Sequence, residues 1–253
     1  DIVGSGIKNK MCRSFGPAET HLYICNLLPL AQLTLPDFVG IGTPQSGSTW
    51  LYEGLSHHPD VFVPPEKEVA FFTRTFHLGL RRYAAKFRQA GGRTAGEFTP
   101  EYVTMPDQRL RLMSRVLPKA RLIIIIRDPV ARAWSAARRT MYRLFPNMHE
   151  IADIPDSEWF EFFQKECLYR PDELGRNQAY TPGLWQGEYS RIIDRWTQYF
   201  SEEQLLIVFY DDIADRPKDA LREVFRHIGI SEDVDWSSMP LGQRINQNTR
   251  MEI

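Results

Sequence analysis

The sequence is poor in cysteine, contains no long apolar run, and carries charges that nearly cancel. Its 253 residues include three cysteines, Cys12, Cys25 and Cys167. They lie far apart, with no CxxC pair and no histidine cluster beside them, so neither a disulfide framework nor a zinc site is indicated and free buried thiols are expected. The apolar stretch Leu22 to Leu35 is broken by Asn26, Pro29 and Gln32, and it is shorter than the roughly 20 apolar residues that cross a bilayer. A cytoplasmic location is therefore expected, with the Golgi lumen as the alternative if an N-terminal anchor has been removed from a chain that starts at Asp1. Thirty-one Lys and Arg against 32 Asp and Glu leave a net charge of −1. That balance gives no broad attraction to polyanions, so no nucleic-acid partner is expected. Internal repeats and low-complexity tracts are lacking as well.

What is present is an ordinary globular composition, 43% apolar and 25% charged, able to bury a core. Residues 1–36 have no clear period or motif and read as an N-terminal extension, with 37–253 as a single domain. Phe38, Val39 and Ile41 form a short strand that enters the turn Gly42 to Thr49, and a helix begins near Trp50. Phe62 and Val63 read as a strand, Leu80, Tyr83, Ala84 and Phe87 as a helix, and Ala95 to Phe98 as another strand. Thr99 is expected to cap the next helix with Pro100 at its first position. Leu122 to Ile126 is apolar without alternation, the mark of a central parallel strand covered on both faces. The helix after Asp128 and Pro129 is expected to carry Val130, Trp134, Ala137, Met141 and Leu144 on an apolar face and Arg132, Ser135 and Arg139 on a basic one. A helix through Tyr189, Ile192, Ile193 and Trp196, a strand from Leu205 to Tyr210 and a helix from Ala220 to Ile228 complete the pattern. The fold class is α/β, a three-layer arrangement with a central parallel sheet flanked by helices and ligands at the strand C-termini.

Two places carry chemistry. Small and hydroxyl-bearing residues between a strand and a helix N-terminus expose backbone N–H groups to an anion, which makes Gly42 to Thr49 a P-loop-like phosphate cradle. The spacing Gly42-x4-Gly47 meets the first half of a Walker A loop, but Ser48 stands where its Lys belongs. The other place is Arg127 at the end of the buried strand with Ser135 two helical turns on, where a guanidinium fork and a hydroxyl can bracket one phosphate. The plain alternatives are an ordinary glycine turn, and a strand exit with a local ion pair beside a solvated serine.

Taken together these segments resemble the PAPS-dependent sulfotransferases, in motif style closest to the bacterial and glycan-type members. The resemblance implies that Pro44, Gln45, Ser46, Gly47, Ser48, Thr49 and Trp50 wrap the 5′-phosphate side of the donor PAPS, and that Arg127 and Ser135 hold its 3′-phosphate. Further matches are His58 to Val61, Glu66 to Phe72, Gly96 to Tyr102, and Gly187-Glu188-Tyr189 followed by Trp196 and Phe200; the likeness covers about residues 37 to 230. It implies Glu68 as the general base that takes the acceptor's proton, PAP as product and no metal. Without it, Glu66 to Glu68 would read as a solvated charge run.

The sequence departs from the family pattern twice. Gln45 occupies the loop position that is usually Lys or Arg, and Phe98 the position where glycan sulfotransferases often carry a second Lys. Gln45 is a candidate catalytic group without charge, and Lys67 is the nearest candidate to replace the missing cation. A small-molecule or neutral glycan acceptor fits the near-neutral charge, with Trp185, Tyr180 and Tyr142 as candidate walls. A PAP-binding protein with weakened catalysis and a P-loop kinase are the alternatives.

Overall fold

The structure, a computed structural model, describes residues 33–144, 156–167 and 183–242. Most of the N-terminal extension, with Cys12 and Cys25, lies outside the described residues, as do Tyr180 and the side chains of Tyr142 and Cys167.

Strands β1 (Phe38–Gly42), β2 (Val61–Phe62), β3 (Thr94–Phe98), β4 (Arg121–Ile126) and β5 (Leu205–Phe209) form one sheet in the order β2-β3-β1-β4-β5. Every pairing is parallel, and Phe38 at the centre faces Gly96 of β3 and Arg121 of β4. The uninterrupted Leu122-Ile123-Ile124-Ile125 has its physical reason here, since alternate side chains enter opposite cores. Leu122 and Ile124 pack with Val39, Ile41 and Trp196, whereas Ile123 and Ile125 pack with Phe38, Phe98 and Phe225.

Helices cover both faces. They are α1 (Ser48–Ser56), α2 (Leu80–Ala85), α3 (Asp107–Val116), α4 (Pro129–Leu144), α5 (Asp156–Cys167), α6 (Tyr189–Thr197), α7 (Tyr210–Asp215) and α8 (Pro217–Ile228). Helix α1 lies close on α8, where a Cβ on Gly54 would come within 2.8 Å of Leu221. Leu33 and Leu35, placed by the sequence in the extension, pack against the first core.

Two expectations change. Pro100 does open a helical turn, a 3-10 segment Pro100–Thr104, but Thr99 does not cap it. Its hydroxyl donates instead to the Glu97 carboxyl at 2.8 Å and accepts the Ala70 N–H at 3.1 Å. Of the apolar face expected for α4, Ala137 is buried, but Val130 is 60% and Trp134 41% exposed, while Arg132 of the expected basic face is fully buried. Ala133 and Ala137 are also buried, small enough to let the 3-10 turn Leu184–Gly187 approach. The turn and the residue before it accept from both terminal nitrogens of the buried guanidinium, which donates to Gln186 Oε1 at 3.0 Å and to the Gly183 carbonyl, and those bonds offset part of the cost of burying its charge.

Candidate functional site

The loop between β1 and α1 is fixed first by its neighbour strand. Both the N–H and the Oγ1 of Thr43 donate to the Ile125 carbonyl, at 2.9 and 3.0 Å, and Ser46 Oγ lies 2.7 Å from Thr43 Oγ1. Gln45 and Gly47 then adopt left-handed backbones, φ 65° and 94°, of which only the glycine does so at no steric cost. Gly47 is the N-cap of α1 and no side chain caps that end, so the first N–H groups of the helix remain available to a phosphate. Pro44, Gln45 and Thr49 are partly exposed, while Ser46 and Ser48 are buried. Trp50 turns away into the second core, where its indole donates to the Pro240 carbonyl at 3.1 Å.

Arg127 and Ser135 each reach this loop at Gln45. Arg127 Nη1 donates to the Gln45 carbonyl at 3.0 Å and Ser135 Oγ to Gln45 Oε1 at 3.3 Å. Two aromatic residues set the arginine's position. The Tyr210 ring lies 4.3 Å from its guanidinium carbon, a favourable cation–π arrangement. Tyr189 donates to the Arg127 carbonyl at 2.6 Å and accepts its N–H at 3.2 Å. Asp128 accepts the Ala131 N–H at 2.7 Å, acting at the start of α4.

On the other side Lys67 reaches the loop. Its ammonium donates to Ser48 Oγ at 3.3 Å and stands 3.6 Å from Glu68 Oε1. Burial holds Lys67 below the ordinary lysine value, the Glu68 carboxylate pulls it back up, and the Arg139 charge lowers it further. Glu68 and Ala70 are left-handed, φ 68° and 53°, a conformation that costs about 1–2 kcal/mol for a residue with a Cβ. The end of β3 holds this segment: Glu68 N–H donates to the Phe98 carbonyl at 3.0 Å and Ala70 N–H to Thr99 Oγ1.

Thr73, Arg74 and Glu101 beside Glu68 were invisible as a group in the sequence, because the bonds that Thr73 and Arg74 make to Glu101 span 28 and 27 positions. Arg74 lies 3.9 Å from Glu68 Oε2, and its Nε donates to buried Glu101 at 2.9 Å. Glu101 also accepts from the Thr73 hydroxyl. Behind them Glu97, 1% exposed, accepts from Tyr83 at 2.6 Å, Thr99 at 2.8 Å and Tyr102 at 3.2 Å. Burial pushes its carboxyl up to about 7, against the pull of those three hydroxyls.

Phe98 has left the site for the core. Its ring lies over Gly40, where a Cβ would come within 2.0 Å of it, and meets Phe38 and Tyr52 edge to face. A cleft of about 220 Å³ opens beside Glu68, lined by Val69, Phe71, Leu78, Arg82 and Lys86 among others. Trp185 is partly exposed beside Arg132's partners rather than in this cleft. Among the described residues, no group of three His, Cys, Asp or Glu side chains is arranged to hold a metal ion, and no helix is long and apolar enough to cross a membrane.

A parallel α/β sheet with an uncapped helix end, a cationic fork and a hydroxyl gathered at the strand C-termini is an arrangement whose donors suit an anion such as a phosphate. The chain belongs to the sulfotransferase domain family, which it matches over residues 35–239. It is 29% identical to heparan sulfate glucosamine 3-O-sulfotransferase 3A1 of Mus musculus over 81% of this chain and 48% of that one. It is 26% identical to the membrane-associated sulfotransferase kil1 of Dictyostelium discoideum, over 79% of this chain and 57% of that one. The chain thus spans about half the length of the curated relatives it matches. Among solved structures, a sulfotransferase from Alicyclobacillus acidocaldarius superposes with a TM-score of 0.60 and 25% identity, covering 79% of this chain and 83% of the other. Sulfotransferases of this family take their sulfuryl group from PAPS, and the gathered phosphate donors suit such a donor.

Proposed function

We propose that this protein transfers a sulfuryl group from PAPS to a hydroxyl or amine of a small or weakly charged acceptor, in line, with Glu68 as general base. The observation that carries it is the convergence on one loop: Arg127 and Ser135 reach Gln45 from β4 and α4, and Lys67 reaches Ser48 from the segment that bears Glu68. The loop's N–H groups, Arg127 and Ser135 bind the phosphates. Glu68 accepts the proton of the acceptor O–H or N–H as the new bond to sulfur forms, and the electron pair of the broken S–O bond leaves with PAP. Lys67 supplies the cation that Gln45 lacks.

The named relative is a heparan sulfate glucosamine 3-O-sulfotransferase. Here net charge is −1 and a core phenylalanine stands at position 98, so a small-molecule or neutral glycan acceptor fits better. The cytoplasm is the place of action in this reading, with the Golgi lumen the alternative, and 37–253 acts as one domain. A second reading, a PAP-binding protein with weakened catalysis, is favoured by the uncharged Gln45, whose amide is engaged by Ser135.

The test supplies PAPS with phenols, alcohols, amines and neutral sugars and seeks sulfate addition by mass spectrometry. Transfer to any of them, undiminished by EDTA, is the expected result. A melting temperature raised by PAP with no transfer to any acceptor would favour the second reading, and no response to PAP would remove both.

A further inference from the structure

The cleft beside Glu68 is small. At about 220 Å³ it falls below the range of roughly 300–1,000 Å³ typical of drug-sized ligands, so it takes one ring or a short chain. Its floor is apolar and firm, since Phe71 stacks on Tyr83 at 4.4 Å and 12°, with Val69 and Leu78 beside it. The charges on its walls are not equally engaged. Lys86 is paired with Glu66 at 3.0 Å, and Glu68 has Lys67 and Arg74 within 4 Å. Arg82, exposed on α2, has no ion-pair partner among the described residues.

We propose that this cleft is an acceptor subsite for a small amphipathic alcohol or amine carrying one carboxylate, with Arg82 as its anion anchor and the nucleophilic end presented to Glu68. The inference rests on the reading of Glu68 as the base and adds the acceptor's chemistry to it. A guanidinium offers a carboxylate two parallel donors in a fixed plane, which a lysine does not. Glu68 and Arg82 come from different segments on one cleft, so an acceptor between them is held at both ends, and the apolar wall accepts only what lies between. An acceptor with an ammonium at the same place would set like charge beside Arg82.

The experiment titrates the PAP-saturated protein by calorimetry with 4-(hydroxymethyl)benzoate, benzyl alcohol and 4-(hydroxymethyl)benzylamine, and follows turnover of each with PAPS. The benzoate is expected to bind about tenfold or more tightly than benzyl alcohol, as one charge-assisted bond implies. Arg82→Gln should erase that difference while leaving benzyl alcohol and the PAP-induced melting shift unchanged, and Arg82→Glu should reverse the order in favour of the amine. Equal affinities in the wild type, no binding of the benzoate, or an equal loss for all three probes in Arg82→Gln overturns the subsite. Failure of the underlying reading looks different: PAP leaves the melting temperature unmoved, or Glu68→Gln turns over at the wild-type rate.

Discussion

At the end of β1 the loop is held by neutral bonds to the Ile125 carbonyl and by short hydroxyl contacts, whereas Glu68 and its neighbours are held by left-handed backbone and by charge. The first region resembles a mould: its uncapped helix end offers backbone N–H donors whose direction follows from the strand–loop–helix path. The second resembles a truss, in which Lys67, Glu68, Arg74 and Glu101 fix one another. A mould tolerates changes in side chains that point elsewhere. A truss does not, because removing one member leaves another charge uncompensated. Donor binding and proton transfer should therefore separate under mutation.

The largest expected effect tests that separation on the charged side. Glu68→Gln keeps the shape and removes the base, so turnover should fall by roughly 10²–10⁴. PAP should still raise the melting temperature as in the wild type. Loss of both together would mean that the two regions act as one unit, and retained turnover would remove Glu68 from the chemistry.

Next is the buried acid behind the truss. Glu97 ordinarily titrates at 4.5 and in the fold at about 7. The folded protein therefore holds a proton that the unfolded chain releases first. The stability this gives is complete below about 4.5 and is lost as pH rises from there through about 7, in all on the order of 3–4 kcal/mol at roughly 1.4 kcal/mol per unit. Glu97→Gln imitates the protonated form. Denaturation midpoints at pH 5 and pH 8 should show the variant gaining on the wild type only at the higher pH; an equal difference at both would show that Glu97 is not the titrating group.

On the donor side Arg127→Ala should weaken PAP binding about 10- to 100-fold, the worth of a hydrogen bond to a charged group. The melting shift at a fixed PAP concentration reports it. Equal stabilisation of both proteins would move the donor site away from Arg127.

This contrast also decides what could be read in the sequence. The loop, Arg127 and Ser135 were legible because each lies at the end of a predictable strand or on the helix that follows, and chain direction alone brings them together. Glu68 was legible only as part of a family motif, since nothing in Glu66-Lys67-Glu68 distinguishes a site from a solvated run. Arg74, Glu101 and Tyr189 escaped assignment because their roles are made by contacts across the sheet's C-terminal edge. The error over Val130 and Trp134 in α4 has the opposite cause. Hydrophobic periodicity weights them by size, whereas close packing of a turn favoured the small Ala133 beside the expected Ala137.

The smallest effect, and the one that joins the two regions, concerns Gln45 and Lys67. Lys67 Nζ donates to Ser48 Oγ and stands beside Glu68, while the Gln45 amide accepts from Ser135. If Lys67 has taken over the missing loop cation, Lys67→Ala should lower turnover of the natural protein and be partly rescued when Gln45→Lys is present. Residues sharing one role couple by about 0.5–3 kcal/mol in a double-mutant cycle. The readout is turnover rather than PAP affinity, because the charge that needs stabilising grows only as the S–O bond breaks. Gln45→Lys alone should raise turnover if the cation is under-supplied, and lower it if the new ammonium crowds Lys67. Additive effects would leave Lys67 as a support for Glu68 only. The uncharged loop would then stand uncompensated, and the weakened PAP-binding reading would gain what the transferase reading lost.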